Sequence, residues 1–227
     1  MKDILKTPNL NLAEARIVDL VNLYIKLPNY GDNPSLHALQ AEAQTFENTQ
    51  AQNYYDTVRT NAWTAAKEQQ NYGTAINIVT RAMSELGQQP FSAHDKKAID
   101  IFLLRRLGRI YEHQATFGQE QLPLNNPDRR KNYLLAATLY MEADFELDGI
   151  TDFSARICEA LIGAGKPDLG MKALKAFYGN DITIGTPQLV ADRLSDKNKV
   201  LTEVTAALGI ELWDKLPPSI DKAGSEI

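Results

Sequence analysis

The chain has 227 residues, with 24 basic and 29 acidic side chains and a formal net charge of −5. This length fits one compact domain or two small ones, and an apolar fraction of 44% is typical of a globular chain with a substantial core. The acidic balance argues against bulk binding to nucleic acid or to an anionic membrane, because both need a basic surface.

Signals for export and membrane insertion are weak in this sequence. Cys158 is the single cysteine, so the chain cannot form an intramolecular disulfide. The apolar run near the N-terminus is too short for a signal peptide, and no window approaches the ~18 apolar residues of a membrane span. We expect a cytoplasmic protein without a membrane span, although secretion by a signal-free route would leave no sequence trace.

Apolar residues follow helical spacing through most of the chain. In chain order, this spacing predicts helices over residues 11–27, 35–70, 74–86, 92–117, 127–146, 151–164, 169–178, 187–194 and 196–208. The segment 35–70 is long for one globular helix, so we expect a break near residues 48–53. Residues 180–184 are the only stretch with strand character.

Capping residues predict several of these helix boundaries. Ser92 precedes a strongly apolar helix, and Asn126 stands before Pro127 in the order typical of a helix start. Thr151 or Asp152 is the expected cap of the helix that follows the turn at residues 148–149.

The pattern of many helices and no credible sheet predicts an all-α protein. Short connections favour antiparallel helical hairpins, stacked as a regular array or as an irregular bundle. We expect a single helical domain over residues 1–213 and a flexible tail over 214–227. A division into an N-terminal sub-bundle, 1–90, and a C-terminal helical array, 91–213, stays open.

One part of the chain resembles a known helical repeat. Residues 104–111, Leu-Arg-Arg-Leu-Gly-Arg-Ile-Tyr, match the Trp-x2-Leu-Gly-x2-Tyr signature of tetratricopeptide units, with leucine in the tryptophan position. Residues 71–82 and 155–178 look similar to further parts of such units. Residues 55–178 therefore resemble tetratricopeptide-like repeats with irregular spacing, and this resemblance implies a concave groove that binds a peptide or a partner protein. A generic antiparallel bundle is the alternative.

Basic and aromatic side chains provide the candidate binding residues. Two groups of arginines fall on consecutive predicted helices and favour an acidic peptide or a carboxylate as ligand: Arg105, Arg106 and Arg109 on one helix, and Arg129 and Arg130 on the next. The alternative is a solvated charged surface. Tyr55 and Trp63 are candidate aromatic anchors for a partner, or residues at the edge of the helical core.

One segment has the beginning of an EF-hand calcium loop. Asp144, Glu146, Asp148 and Asp152 place acids at alternate positions around a glycine at 149. The closing bidentate glutamate would fall on Ala155, so affinity for calcium would be poor. A junction between two capped helices explains the same residues, and we expect no metal site and no cofactor.

These features favour a non-catalytic helical adaptor that binds a partner protein or an acidic peptide in a groove. The alternative is an all-helical enzyme whose site is assembled from dispersed residues, with His113 or distant carboxylates as acid or base. Both hypotheses leave the oligomeric state open.

Overall fold

The computed structural model describes residues 10–29, 34–119, 122–123, 125–151 and 153–178. Within these ranges the chain forms eight α-helices: α1 Leu10–Tyr24, α2 Pro34–Ala43, α3 Thr49–Lys67, α4 Tyr72–Glu85, α5 Ala93–His113, α6 Pro127–Glu146, α7 Ser154–Gly163 and α8 Pro167–Tyr178. No strand forms in this part of the chain, and the predicted all-α fold is confirmed. None of its helices is long and apolar enough to span a bilayer.

The capping signals account for several helix starts. The side chains of Asn48, Ser92 and Asn126 each accept a hydrogen bond from a backbone N–H in the first turn of the helix that follows. Pro127 takes the first helical position after Asn126, where its missing N–H costs nothing. The predicted break in the long segment 35–70 is present, since α2 ends at Ala43 and α3 begins at Thr49. It overlaps the predicted interval, 48–53, only at Asn48.

The helix predicted to follow residue 149 begins later than expected, at Ser154, and Phe153 precedes it without a side-chain capping bond. Thr151 lies before this start, and its hydroxyl accepts a hydrogen bond from the backbone N–H of Phe153 at 3.2 Å. The same hydroxyl donates to Asp144, with an Oγ1–Oδ1 distance of 2.8 Å. Asp152, the helices at 187–194 and 196–208, the strand-like stretch 180–184 and the tail 214–227 lie outside the described residues.

Helices α3 to α8 form three consecutive antiparallel hairpins. Within the second hairpin, Thr116 beyond the end of α5 meets Tyr133 near the start of α6, with their hydroxyl oxygens 3.2 Å apart. The first helices of neighbouring hairpins run in the same direction, since Tyr55 of α3 meets Phe102 of α5, and Trp63 meets His113 further along both helices. This stacking is compatible with a helical-repeat arrangement, although the hairpins begin at unequal intervals along the chain.

Glycines allow the helices of this stack to approach closely. A Cβ atom on Gly108 of α5 would lie 2.6 Å from the Tyr140 ring of α6. A Cβ atom on Gly163 of α7 would lie equally close, 2.6 Å, to the Tyr133 ring. The tyrosines of α6 therefore occupy space that any larger residue at these positions would need. One hydrophobic cluster then continues from Ile17 in α1 to Ala173 in α8.

A buried polar network joins α5 to α1 and α6. The Arg105 guanidinium donates to Asp144, with Nη2 3.3 Å from Oδ1, and Asp144 also accepts from the Tyr24 hydroxyl at 3.0 Å. The backbone N–H and hydroxyl of Thr151 supply two further hydrogen bonds to the same carboxylate. Burial raises the pKa of Asp144, while Arg105 and these donors oppose that shift.

A second network fixes α5 against α6 and α7. Glu112 accepts from the Tyr140 hydroxyl at 2.6 Å and from Arg156 at 3.1 Å. Both networks lie on the inner side of α5 and hold the helix at one rotation about its axis. That rotation decides which α5 side chains reach the outer surface.

Candidate functional site

The outer surface of α5 is a single narrow stripe. Between residues 101 and 113, every side chain is buried except Phe102, Arg106, Arg109 and His113, which are half-buried. These four residues are spaced four, three and four apart, so they share one side of the helix. The stripe is entirely aromatic or basic.

Helix α3 lies beside this stripe and contributes residues of the same kind. The Tyr55 ring stands 5.1 Å from the Phe102 ring, and the Trp63 ring stands 5.3 Å from the His113 ring, measured between centroids. We call this surface the α3–α5 face and define it by the residues Tyr55, Arg59, Trp63, Phe102, Arg106, Arg109, His113 and Phe117.

Guanidinium groups cover the aromatic rings of α3. Arg106 and Arg109 place their Cζ atoms 5.4 and 5.6 Å from the centre of the Trp63 ring. Arg59 stands 5.9 Å from the centre of the Tyr55 ring. Contacts of this kind contribute about 0.5–1 kcal/mol each at exposed sites, so they orient the arginines without neutralising their charge.

Arg106 has unused hydrogen-bonding capacity. Within the described part of the chain it makes no ion pair, and its buried Nε has no acceptor. A guanidinium group carries five N–H donors in a planar fork that matches a carboxylate. Because its Nε is enclosed by protein, an incoming carboxylate would bind the terminal Nη donors of this half-buried side chain.

His113 occupies the C-terminal end of the face. Its Nδ1 lies 3.1 Å from the Tyr72 hydroxyl, and its ring packs 4.7 Å from the Phe117 ring. Burial lowers the pKa of His113, and the positive charges of Lys67 and Arg109 lower it further. The His113 ring is consequently uncharged at neutral pH.

Phe117 projects from the π-helical turn after α5. Its side chain is 53% exposed, which makes it the one exposed aromatic side chain among those the structure describes. The next residue, Gly118, allows the chain to cross the Tyr72 ring, because a Cβ atom there would overlap it. An exposed phenylalanine packed against His113 at the end of this stripe is an unusual solvent-facing group and suits a binding contact.

Acidic residues gather elsewhere on the protein. Glu142 of α6 lies among like charges, and burial together with Glu146 and Asp100 raises the pKa of Glu142 to about 7. On the α3–α5 face, by contrast, the charged members are all cationic, although Arg59 is paired with the exposed Asp56 at 3.1 Å. A chain of net charge −5 therefore concentrates positive charge around Trp63.

Two of the arginines expected at the binding surface are inside the protein. Arg105 is 7% exposed and is held by Asp144 and by Gln44, whose Oε1 lies 2.7 Å from its Nη1. Arg129 is 2% exposed and donates to the backbone carbonyl groups of Ala115 and Leu122. Both guanidinium groups are enclosed and donate hydrogen bonds within the protein, Arg105 through its two Nη groups and Arg129 through Nε and Nη1, so neither is available to a partner.

The remaining predicted residues lie in different places. Tyr55, Trp63, Arg106 and Arg109 come together on the α3–α5 face. Arg130 instead lies against Gly165 in the turn between α7 and α8. A Cβ atom added at Gly165 would lie 3.2 Å from the Cζ atom of Arg130.

The EF-hand-like segment forms a helix junction. The oxygens of Asp144 accept the hydrogen bonds of Arg105, Tyr24 and Thr151 described above. Glu146 is half-buried, and Asp148 is exposed in the left-handed region at φ 55°. No group of three His, Cys, Asp or Glu side chains in the described ranges could hold a metal ion.

Four members of the face were not among the predicted binding residues: Arg59, Phe102, His113 and Phe117. A usable signal was present, because Tyr55, Arg59 and Trp63 follow one another at intervals of four, as do Phe102 and Arg106. An aromatic–basic stripe of that spacing lies along one side of a helix. The sequence indicates His113 only as an acid or base of the alternative enzyme.

Neither a family model, nor a curated protein, nor a solved structure matches this chain.

Proposed function

We propose that this protein is a helical interaction module that binds an acidic segment of a partner protein on the α3–α5 face. The observation that carries the proposal is the position of Arg106 and Arg109 over Trp63, where Arg106 has no carboxylate partner in the described chain. Exposed Phe117, packed against His113, adds an apolar contact at the end of the same face. Such a surface recognises a ligand by shape and charge, with aromatic and arginine side chains as the main contacts.

Stacked hairpins suit this function because they hold the face in one geometry before any ligand arrives. The networks around Asp144 and Glu112 fix the inner side of α5, so the arginines on its outer side lose little conformational entropy on binding. Positive charge on an otherwise acidic protein also favours encounter with an acidic ligand.

Nucleic acid fits the same face less well. Single strands stack their bases on free aromatic rings, whereas the guanidinium groups of Arg106 and Arg109 lie over the Trp63 ring. The chain also carries a net charge of −5, which opposes a polyanion.

The alternative of an enzyme has less support. In the described chain, His113 is hydrogen-bonded to a tyrosine hydroxyl, and no hydrogen bond or ion pair links it to a carboxylate that would orient it for proton transfer. Burial raises the pKa of the Cys158 thiol, which disfavours a nucleophilic thiolate.

A peptide array tests the proposal. The labelled full-length chain is applied to random peptides sorted by net charge, together with single-stranded oligonucleotides. Three proteins are compared: wild type, the Arg106→Glu/Arg109→Glu variant, and the control Arg81→Glu/Lys172→Glu, which changes the net charge equally at two exposed positions of α4 and α8.

We expect wild type and control to bind acidic peptides in a salt-sensitive way, and the face variant to lose at least ~10-fold in signal, since a hydrogen bond to a charged group contributes about 1.5–3 kcal/mol. All three proteins must show the same helical circular dichroism. Equal binding by the face variant and the control would overturn the proposal, as would stronger binding to oligonucleotides than to acidic peptides.

A further inference from the structure

The α3–α5 face has an order along its length. Tyr55 and Phe102 form an aromatic pair at one end, where the neighbouring Arg59 is ion-paired with Asp56. The guanidinium groups of Arg106 and Arg109 lie in the middle, and Phe117 closes the other end. The surface is thus aromatic, then cationic, then aromatic. A ligand that contacts all of it needs the complementary order: apolar, acidic, apolar.

The helical rise sets the distances between these levels. With ~1.5 Å per residue, Phe102 and Phe117 are separated by about 22 Å along the α5 axis, and Arg106 lies about 6 Å from Phe102. An extended chain advances about 3.3 Å per residue, so about seven residues cover the same length. A helical ligand would need about fifteen residues.

The depth of the face distinguishes these two ligand shapes. Six members of the face are half-buried on both helices, whereas Arg59 of α3 and Phe117 beyond α5 are exposed. The half-buried part therefore forms a shallow recess between two projecting side chains. An extended strand, which occupies about 5 Å beside its neighbour, enters such a recess more easily than a helix of about 10 Å diameter.

We infer that the bound partner segment is an extended peptide with two central acidic residues flanked by apolar residues about seven positions apart, lying along α5. The acidic residues meet Arg106 and Arg109, and the apolar residues meet the Tyr55–Phe102 pair and Phe117. This inference rests on the proposed function and specifies the chemistry of its ligand. Charge complementarity selects the ligand class, and the aromatic ends set its length.

Synthetic peptides of defined spacing test the inference. Each has two aspartates at its centre, leucines at both ends and serines elsewhere, with capped termini. The leucines are placed about three, seven, eleven or fifteen residues apart, which covers the extended and helical optima. A matched series replaces the leucines by serine.

Trp63 provides the readout. The chain has two tryptophans, so the Trp213→Phe substitution leaves Trp63 as the only indole. Quenching of its fluorescence during titration of the full-length protein gives the dissociation constant for each peptide. Circular dichroism before titration shows whether the substitution leaves the fold unchanged.

We expect the tightest binding at a spacing of about seven, and a loss of about 10-fold when the leucines become serines. The Phe117→Ser variant should lose affinity for the leucine-ended peptide and not for its serine-ended match, because only the first one contacts Phe117. An optimum near fifteen residues would show a helical ligand and overturn the inference. So would an affinity that does not depend on spacing.

The two proposals fail in different ways. If acidic peptides on the array bind through Arg106 and Arg109, but affinity in the spacing series has no optimum near seven residues, only the inferred ligand pattern is wrong. If binding on the array does not depend on these arginines, both the proposed function and the ligand pattern are wrong.

Discussion

Arg105 and Arg106 are adjacent in sequence and lie in opposite environments. Arg105 is buried and donates to Asp144, Gln44 and Thr151 inside the protein. Arg106 lies on the α3–α5 face over Trp63 and makes no ion pair within the described chain. A rotation of about 100° about the helix axis separates a structural arginine from a candidate binding arginine. Residue type alone therefore does not indicate a binding site.

The sharpest way to test this contrast is to remove a charge on each side of α5. The Asp144→Ala substitution should lower the free energy of unfolding by about 3–5 kcal/mol, because it leaves the buried Arg105 charge uncompensated. The Arg106→Ala substitution should cost only about 0.5–1 kcal/mol, the loss of a cation–π contact. Urea denaturation followed by circular dichroism measures both values.

The exposed pair of Asp56 and Arg59 provides a control for the first of these substitutions. Its side chains are 40% and 45% exposed, so Asp56→Ala should cost less than about 1 kcal/mol. Equal costs for Asp56→Ala and Asp144→Ala would contradict the buried network.

A smaller effect is expected from crowding the inner side of α5. In the Gly108→Ala variant the new methyl group would meet the Tyr140 ring at 2.6 Å, and overpacking of this kind costs about 1–3 kcal/mol. At Gly87 nothing lies within 4 Å of the added carbon, so Gly87→Ala should change stability by less than about 0.5 kcal/mol. Thermal unfolding of the two variants compares them directly, and an unaffected Gly108→Ala protein would show that the α5–α6 hairpin is loosely packed.

The smallest effect concerns the pH response of the outer side. Because the folded pKa of His113 lies below its ordinary value of 6.5, the contribution of neutral His113 to stability is present above pH ~6.5 and is lost as the pH falls through the folded pKa. A bound carboxylate would raise that pKa, so acidic peptides should bind more tightly at lower pH. NMR titration of the imidazole signal, assigned by its absence in His113→Gln, measures the pKa with and without peptide. A pKa above 6.5 in the free protein would refute this environment for His113.

Helix boundaries were largely predictable because the signals that set them are local. The hydrogen bonds from the side chains of Ser92 and Asn126 reach only two or three residues along the chain. Thr151 is a mixed case, since its hydroxyl accepts from the backbone N–H of Phe153, two residues along the chain, and also donates to Asp144 of the preceding helix. Local rules predict the first of these bonds, whereas the second depends on the fold.

The candidate site was predictable only in part. The aromatic–basic composition of the two helices is visible in the sequence, and Trp63, Tyr55, Arg106 and Arg109 were selected on that basis. The choice among the arginines was not possible, because Arg105 and Arg109 also share a helix side by spacing. The burial of Arg105 follows from the approach of Asp144, 39 residues away.

By itself, the sequence determined the helical class, the main helix starts and the separation of an apolar α5 from a polar α3. These properties depend on the spacing and capping of residues within one or two turns. Only the tertiary structure decided which side of α5 faces solvent, because Asp144 of α6 and Arg156 of α7 bond to that helix and Tyr24 of α1 bonds to Asp144. Contacts over such separations depend on how the hairpins pack, and this packing places Arg106 and Arg109 beside Trp63.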